Sequence, residues 1–386
     1  MKVTGYAYPW DVLDTPGFAV RARALGVDEV AVALAYHSAR AATPWSEHGS
    51  SVVARHAALY RPVRPHAWKD SELRPYAPDW VAGPDSGGEA VRLLNEAGIP
   101  AAAWIVLTHN SRLGAEVSRV AVHNCFDEVY PWALCPAQPA VRAYAANLTA
   151  EAVDGLELSS VILEACGPLG VLHQHQHEKT AGVWSPAVVR LLSICCCSAC
   201  AASWKQAGHD AEAVRAQLRI SVRELIRSGD LEATEDGLPT DIRATVLAGR
   251  QAATDALRRA VLVRVPPGTR TVLHGALDPW STGSLPGLTP SAADEVDAVV
   301  LQNWAPVQAS CEAVAAARAA LPQRVAVGSY VTAVAADPVP DIAAYVTALA
   351  EAGANELHLY HLGLAGPARH KDLKASTAAA RTRRGT

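Results

Sequence analysis

The sequence has no excess of positive charge and no long uninterrupted apolar segment. Its 386 residues include 34 Lys and Arg against 38 Asp and Glu, which gives a formal net charge of −4 at pH 7. This balance gives no electrostatic basis for binding nucleic acid or an anionic membrane surface. No apolar run reaches the length that a bilayer-spanning helix needs. Both absences favour a soluble globular protein without nucleic-acid or membrane partners.

A secretory signal is also missing. Residues 1–6 form a pattern typical of a strand, without a charged segment followed by an apolar core and a small-residue cleavage site. The sequence therefore predicts a cytoplasmic protein, in which thiols stay reduced. Its eight cysteines are then expected to be buried, metal-bound or reactive rather than paired in disulfides.

One pattern occurs three times: a helical segment ends near a glycine, and a short apolar run follows. The glycines are Gly26, Gly98 and Gly353. Such a glycine is typical of a helix that leads into a buried parallel strand. With the other apolar runs, the sequence predicts eight strands, at residues 3–8, 29–35, 101–107, 160–164, 271–275, 298–303, 324–329 and 356–360.

Helical patterns between these runs predict an α/β fold. A count of eight strands favours a closed (β/α)8 TIM barrel, and a doubly wound open sheet is the alternative. The first strand is not followed by G-x-G-x-x-G, which argues against a dinucleotide-binding form and an organic cofactor. We expect a single barrel domain over residues 1–368, with a long helical excursion at 165–265 between strands four and five. Residues 369–386 are expected to be a basic, frayed tail.

The predicted strand ends carry polar and aromatic side chains. In a (β/α)8 barrel the reacting groups project from these carboxyl ends. They lack the Gly-rich or Lys/Arg-rich sequence of a phosphate site, and their aromatic, amide, hydroxyl and imidazole groups suit a small sugar or an oligosaccharide. The predicted substrate-binding residues are Trp10, Asp11, His37, His109, Asn110, His177, Glu178, Trp280, Asn303, Trp304, Tyr330, Tyr360 and His361. Trp10, Trp280, Trp304 and Tyr330 are the candidate stacking platforms for a sugar.

Glu164 is the candidate catalytic acid. It directly follows the apolar run 161–163, where an unpaired charge is costly to bury. A half-buried strand end would raise the pKa of this carboxyl, as general acid catalysis requires. Its partner is left open: Asp278 is the first choice, and Glu178 and Asp11 follow. Carboxyl groups about 5 Å apart would predict retention, and about 6.5–9.5 Å would predict inversion.

Alternating histidines occupy residues 173–177. On a strand their imidazoles would share one face and bind a transition metal. In a loop they would line a substrate cleft or lie in solvent, and these three interpretations stay open.

Cysteines form a second pattern, because Cys195, Cys197 and Cys200 have a C-x-C-x-x-C spacing that suits a metal. Together with the segment 134–144, which contains Cys135 before Pro136 and Pro139, this pattern resembles the zinc-bearing family 42 β-galactosidases. The resemblance covers about residues 130–205. It implies a (β/α)8 barrel, a structural zinc bound by Cys135, Cys195, Cys197 and Cys200, and Glu164 as acid/base.

The chain also departs from that family. Leu163 replaces the asparagine that precedes the family's acid/base, and strand seven ends near Ser329 and Tyr330 instead of a nucleophilic glutamate. The resemblance therefore extends to the barrel, the acid and the zinc site but not to galactosidase activity. More loosely, the chain resembles bacterial glycosidase-like barrel proteins of actinobacteria. The leading interpretation is a glycoside hydrolase with Glu164 as the acid. The alternatives are a metal-dependent sugar isomerase or epimerase, with Glu164, His274, Asp278 and His361 as ligands, and a catalytically silent carbohydrate-binding barrel. Homo-oligomer formation stays open.

Overall fold

A computed structural model describes residues 1–172, 179–180, 182–304 and 306–382 of the chain. Eight parallel strands form a closed barrel, because the first barrel strand pairs with both the last and the second. The barrel strands are β1 (Lys2–Ala7), β2 (Glu29–Tyr36), β6 (Ala101–Val106), β9 (Ser160–Glu164), β10 (Arg270–His274), β11 (Ala298–Gln302), β12 (Ala326–Thr332) and β13 (Glu356–Tyr360). The predicted (β/α)8 fold is confirmed, and the open sheet is excluded.

Helices surround the barrel. They are α1 (Pro9–Leu13), α2 (Phe18–Leu25), α3 (Ser86–Glu96), α4 (Ser111–Glu116), α5 (Pro139–Val153), α6 (Pro186–Leu192), α7 (Ser198–Gln206), α8 (Ala211–Ser228), α9 (Thr240–Leu262), α10 (Ala292–Glu295), α11 (Val307–Ala320), α12 (Ile342–Glu351) and α13 (Pro367–Thr382). Four of them, α6 to α9, lie between β9 and β10. Within the described part of the chain, none of these helices has the length and apolarity to cross a membrane.

Five short strands lie outside the barrel wall proper. They are β3 (Ala39–Ala42), β4 (Ser51–Ala54), β5 (Ala58–Leu59), β7 (Ala121–His123) and β8 (Val129–Leu134). Two antiparallel ribbons result, β3 with β4 and β7 with β8, while β5 pairs antiparallel with the end of β2. The β7–β8 ribbon precedes Cys135 and so carries the first cysteine of the predicted metal site.

A left-handed glycine ends α2 as the sequence pattern predicts. Gly26 has φ +74°, and its N–H donates to the carbonyl groups of Ala22 and Arg23. Glycine reaches this conformation at little cost because it has no Cβ. The chain then turns back toward the barrel and enters β2.

The inside of the barrel is filled unevenly. Inward positions of β2 and β6 carry small side chains at Ala31, Ala33 and Ala102, which leave space for the rings of Tyr6 and Trp104. These two rings meet edge to face with centroids 4.9 Å apart. Because side chains alternate along a strand, the valines and leucines between these positions face the helices.

Strand seven and the C-terminal tail differ most from the prediction. Strand seven was expected at 324–329 but runs to Thr332, because its buried alternation continues through Tyr330 and Val331. The described residues of the expected frayed tail, up to Thr382, belong to a helix, α13, which packs against α2 and α12 with Leu373 and Ala380 fully buried. Its alanines favour a helix and allow close packing.

Candidate active site at the carboxyl ends of the barrel strands

Glu164 lies at the carboxyl end of β9, inside the barrel mouth, with 5% of its surface exposed. Its Oε2 accepts a hydrogen bond of 2.8 Å from the indole Nε1 of Trp104. The Nδ1 of His274 lies 3.5 Å from the same oxygen. Burial raises the pKa of Glu164 to about 7, although the Trp104 hydrogen bond opposes this shift. The carboxyl group therefore holds its proton near neutral pH, as a general acid must.

The charge of Glu164 acts on three tyrosines, which are Tyr36, Tyr330 and Tyr360. A fourth, Tyr8, lies against Tyr36 and Tyr360. The hydroxyl groups of Tyr8 and Tyr360 lie 3.4 Å apart. Burial raises the pKa of all four phenols above their ordinary value. The acid is therefore faced by neutral hydroxyl groups, which can donate to and accept from the hydroxyl groups of a sugar.

The outer rim of the mouth is aromatic. Trp304 is 43% exposed, and its ring lies 5.7 Å from that of Tyr330 and 5.6 Å from that of Tyr360. Across the mouth, the half-buried His37 lies 4.3 Å from His109, ring to ring. These predicted substrate-binding residues lie where the barrel opens, and Trp304 offers the accessible flat surface among them.

His361 and Asp11 lie beneath this surface and join the ends of β13 and β1. The Nδ1 of His361 accepts from the N–H groups of Gly363 and Leu364, so its proton is on Nε2. Burial lowers the pKa of His361 to about 3, which keeps the ring neutral. Asp11 accepts from the N–H of Tyr8 at 2.8 Å, and burial raises its pKa to about 7.

The contacts of Asp11 are those of a structural residue. It belongs to the first turn of α1 and caps that turn. Gly363 lies so close that an added Cβ would be 2.0 Å from the Asp11 Cγ. The carboxyl group is therefore enclosed by the loop after β13 and is not presented to the mouth.

Trp10 is buried instead of forming an open platform. Only 2% of it is exposed, and it stacks on Tyr8 with ring centroids 4.5 Å apart. It therefore supports a residue of the mouth from behind, which corrects the prediction of a sugar-stacking face at this position.

Asn110 and Asn303 also have structural contacts. Asn110 caps α4 by accepting from the N–H of Leu113 at 3.0 Å. Asn303 is fully buried, and its Nδ2 donates to the Ser310 carbonyl oxygen in α11 at 3.4 Å. In both places the asparagine side chain connects the end of a barrel strand to the helix that follows it.

Asp278 is exposed, in the loop after β10. Its carboxylate accepts from the N–H of Trp280 at 3.0 Å, a local turn contact. Trp280 in turn is tied to α9, since its carbonyl oxygen accepts from Arg250. The structure shows no contact between Asp278 and Glu164, so the first choice for the second carboxylate is not supported. His177 and Glu178 lie outside the described residues, and their predicted roles stay predictions.

The four predicted cysteine ligands do come together, outside the barrel wall. The sulfur atoms of Cys135, Cys195, Cys197 and Cys200 all lie within 4.8 Å of one another. Two of the separations, from Cys135 to Cys200 and to Cys197, are 3.7 Å. Four sulfurs at about 2.3 Å from a tetrahedral zinc would be about 3.8 Å apart. The donor set therefore fits a zinc-like ion.

The local fold explains this convergence. Cys135 follows β8, while Cys197 and Cys200 lie at the amino-terminal end of α7, where the helix dipole favours negative sulfur. Cys196 is turned away, with its sulfur 3.8 Å from the Ile194 carbonyl oxygen. Among the described residues, this cysteine group is the one cluster of His, Cys, Asp and Glu close enough to hold an ion. Glu164, His274, Asp278 and His361 do not form the metal site that an isomerase would need.

Residues outside the predicted set of site residues complete the site. Trp104 holds Glu164, Tyr6 bonds His274, and Tyr8 and Tyr36 form the wall. Trp104 occupies an inward position of a strand that carries the small Ala102 on the same face, and this contrast in size is the signal that could have found it.

The comparisons with known proteins support the fold. No protein-family model and no curated protein matches the sequence. Solved structures do match: α-L-fucosidase isoenzyme 2 from Paenibacillus thiaminolyticus has a TM-score of 0.59 at 10% identity, covering 100% of this chain and 50% of that one. The PgaB (BpsB) glycoside hydrolase domain from Bordetella bronchiseptica has 0.58 at 14% identity, with 98% and 99% covered.

The β-galactosidase from the psychrophilic Marinomonas ef1 is also similar, with a TM-score of 0.57 at 12% identity, covering 100% of this chain and 60% of that one. The chain thus spans 50% of the fucosidase and 60% of the galactosidase. At these identities the similarity shows a barrel fold shared with glycoside hydrolases, and it does not assign a substrate.

Proposed function

We propose that this protein is a carbohydrate-active hydrolase that cleaves a glycosidic bond with Glu164 as the proton donor. One observation carries the proposal: a carboxyl group with a pKa raised to about 7 lies at the end of β9, inside an aromatic mouth. A raised pKa at this position matches what general acid catalysis of glycoside cleavage needs. The fold is shared with glycoside hydrolases, but one fold hosts many reactions, so the choice of reaction class rests on the site.

In this mechanism, Trp104 orients the carboxyl group by donating to Oε2, and the opposite edge of Glu164 protonates the glycosidic oxygen. The surrounding phenols bind sugar hydroxyl groups, and Trp304 stacks on a sugar ring at the entrance. A zinc ion bound by the four cysteines would stabilise the region between β9 and β10 and take no part in the reaction. A two-carboxylate mechanism needs a second carboxylate, and Glu178 stays the predicted candidate for it.

The test compares aryl glycosides that differ in leaving group. In Glu164→Gln the side chain keeps its shape but cannot donate the proton. We expect turnover of phenyl glycosides to fall by about 10²–10⁴-fold. Dinitrophenyl glycosides should lose much less, since a dinitrophenolate leaves without protonation. Arg119→Gln, an exposed change, is the control.

An equal loss on both leaving groups, or near-normal turnover, would show that Glu164 is not the acid. A panel of hexoside, deoxyhexoside and N-acetylhexosaminide substrates would identify the sugar class in the same assay.

A carbohydrate-binding barrel without catalysis is the second candidate. It is favoured by strand β12, which ends at Thr332 without a carboxylate, and by the exposed position of Asp278. Saturable oligosaccharide binding that is unchanged in Glu164→Gln, together with no turnover of any substrate, would favour this candidate.

A further inference from the structure

A chain of buried polar side chains runs along the barrel interior, away from the mouth. The Nε2 of His274 lies 2.8 Å from the hydroxyl of Tyr6, and that hydroxyl lies 3.0 Å from the Nδ1 of His358. The Nε2 of His358 lies 3.3 Å from the Oε2 of Glu356. His274, Tyr6 and His358 are fully buried, and Glu356 is 5% exposed. Buried polar groups are generally hydrogen-bonded, so these contacts define the partners of each group.

Glu356 anchors the far end of this chain as an anion. It lies at the amino-terminal end of β13 and forms an ion pair with Arg270 of β10. Burial works to raise its pKa, but the hydrogen bond from His358 and the positive charges of Arg270 and Lys2 hold that pKa below its ordinary value. A carboxylate of this kind can only accept hydrogen bonds.

The Glu356 carboxylate fixes the donor and the acceptor in each hydrogen bond of this series of side chains. When His358 carries one proton, the Glu356 carboxylate places that proton on Nε2, so the Nδ1 of His358 is left as an acceptor for the Tyr6 hydroxyl. The Tyr6 oxygen then accepts from the Nε2–H of His274. Burial lowers the pKa of His274 well below its ordinary value, so the ring has a single proton. Its Nδ1 therefore presents a lone pair to Glu164 at 3.5 Å.

We propose that Glu356 and His358 are positioning residues which, through Tyr6 and His274, turn an acceptor nitrogen toward Glu164 and so hold Glu164 in its protonated form. A lone pair at this distance repels a carboxylate and favours a carboxylic acid, whereas an N–H would do the opposite. The inference rests on the proposed function only in giving Glu164 the role of acid.

Other groups act on Glu164 as well, and the test must separate them. The groups that face it from the packed elements are Trp104 of β6, His274 of β10, Tyr6 of β1, Tyr36 of β2, Tyr330 of β12 and Tyr360 of β13. At the far end, Glu29 is a second buried carboxylate. It bonds Thr4, Ser159 and Lys2 and is not part of the chain, although its charge also acts on Tyr6.

The experiment titrates Glu164 directly. The infrared carbonyl band of its carboxylic acid is assigned by its loss in Glu164→Gln, and its midpoint is followed with pH in Glu356→Gln and Tyr6→Phe. Glu356→Gln removes the carboxylate, so His358 can place its proton on Nδ1 and the donors and acceptors of the series can exchange roles. Removing the Tyr6 hydroxyl leaves the His274 Nε2–H without an acceptor, so the proton moves to Nδ1. In both variants we expect the midpoint to fall by on the order of one pH unit.

Nitrogen-15 chemical shifts of the histidines give a second readout. Wild-type His274 should carry its proton on Nε2, and each variant should shift it to Nδ1. Glu29→Gln is the matched control: it removes a charge at the same end and should leave the tautomer and most of the midpoint unchanged. Tyr6→Phe keeps the buried ring, so it tests the chain even if Glu356→Gln does not fold.

Two results would overturn the inference: an unchanged midpoint in folded Tyr6→Phe, or an equal shift in Glu29→Gln. Neither depends on turnover. If Glu164→Gln abolishes hydrolysis but the midpoint does not move, the chain has no such role and the proposed function stands. If the midpoint moves but no glycoside is cleaved, the inference stands and the proposed function falls.

Discussion

The barrel mouth and the cysteine cluster are two sites built in opposite ways. The mouth takes its side chains from the ends of several barrel strands, so its geometry exists only when the whole barrel is closed. The cluster takes four sulfurs from one residue after β8 and one short segment at α7. The first arrangement shifts the proton affinity of an acid by burial, and the second gathers donors for an ion. Chemistry is thus expected in the mouth and stability from the cluster.

The largest expected effect breaks the cluster. In Cys197→Ser the donor set loses one thiolate, and structural zinc in small domains contributes on the order of 10 kcal/mol. We expect zinc to fall from about one ion per chain to a trace and the melting temperature to drop by on the order of 10 °C. Elemental analysis and calorimetry measure both.

Cys196→Ser is the matched control, because Cys196 is adjacent and buried but turned away from the cluster. It should retain the ion. Wild-type protein prepared without chelators that contains no metal, with its thiols freely titratable, would refute the zinc assignment.

The next largest effect tests whether Glu164 serves catalysis instead of stabilising the fold. Burial raises the pKa of this carboxyl above its unfolded value, so the folded protein binds the proton more tightly. Wild-type stability therefore falls as pH rises from about 4 to 7, because unfolding then releases a proton. Glu164→Gln has no carboxyl group to ionise. Its free energy of unfolding should exceed that of the wild type by on the order of 3 kcal/mol at pH 8, and should equal it near pH 4.

Denaturant unfolding at both pH values measures the difference. Asp11→Asn should show the same pH signature, since burial raises the pKa of Asp11 to about 7 as well. A Glu164→Gln protein that is equally destabilised at pH 4 and pH 8 would show that the carboxylate is needed by the fold.

A smaller effect tests the rim. Trp304→Ala removes the exposed ring beside Tyr330 and Tyr360. We expect KM to rise by about tenfold with kcat little changed, because the ring binds substrate and transition state alike. Trp45→Ala, which removes an indole packed against Arg21 and His370 instead of Tyr330 and Tyr360, should leave KM as it is. A fall in kcat alone would contradict a role as a platform.

The smallest effect is expected at Asp278. Its exposed carboxylate makes a turn contact that asparagine reproduces, so Asp278→Asn should change stability by less than about 0.5 kcal/mol and turnover by a few fold. Steady-state kinetics on the same glycosides decides this. A loss of about 100-fold or more would restore Asp278 as the second carboxylate.

The sequence predicted those features that depend on local pattern. Buried strands are apolar runs between helical periods, which placed all eight strands and put Glu164 at the end of one. The cysteine set followed from spacing and from a resemblance, and the geometry accords with it.

Features that depend on loop conformation, or on how far below the barrel mouth a side chain lies, could not be predicted from the sequence. Asp278 and Trp10 each follow a barrel strand, yet one faces solvent and the other lies under Tyr8, because the intervening loop decides where a side chain goes. The hydrogen-bonded series of side chains through Tyr6 and His358 was not predicted, for another reason. Both point inward below the mouth, and strand-end reasoning considers only the last residue.

The cysteine cluster also has a consequence for β9. Cys135 and Cys200 are 65 positions apart in the sequence, and β9 with Glu164 lies between them. An ion held by the folded protein would tie these distant residues together, and its binding free energy would add to the stability of the folded state. The loop that it would close contains the strand that carries the acid, so this strand would be held at both flanks.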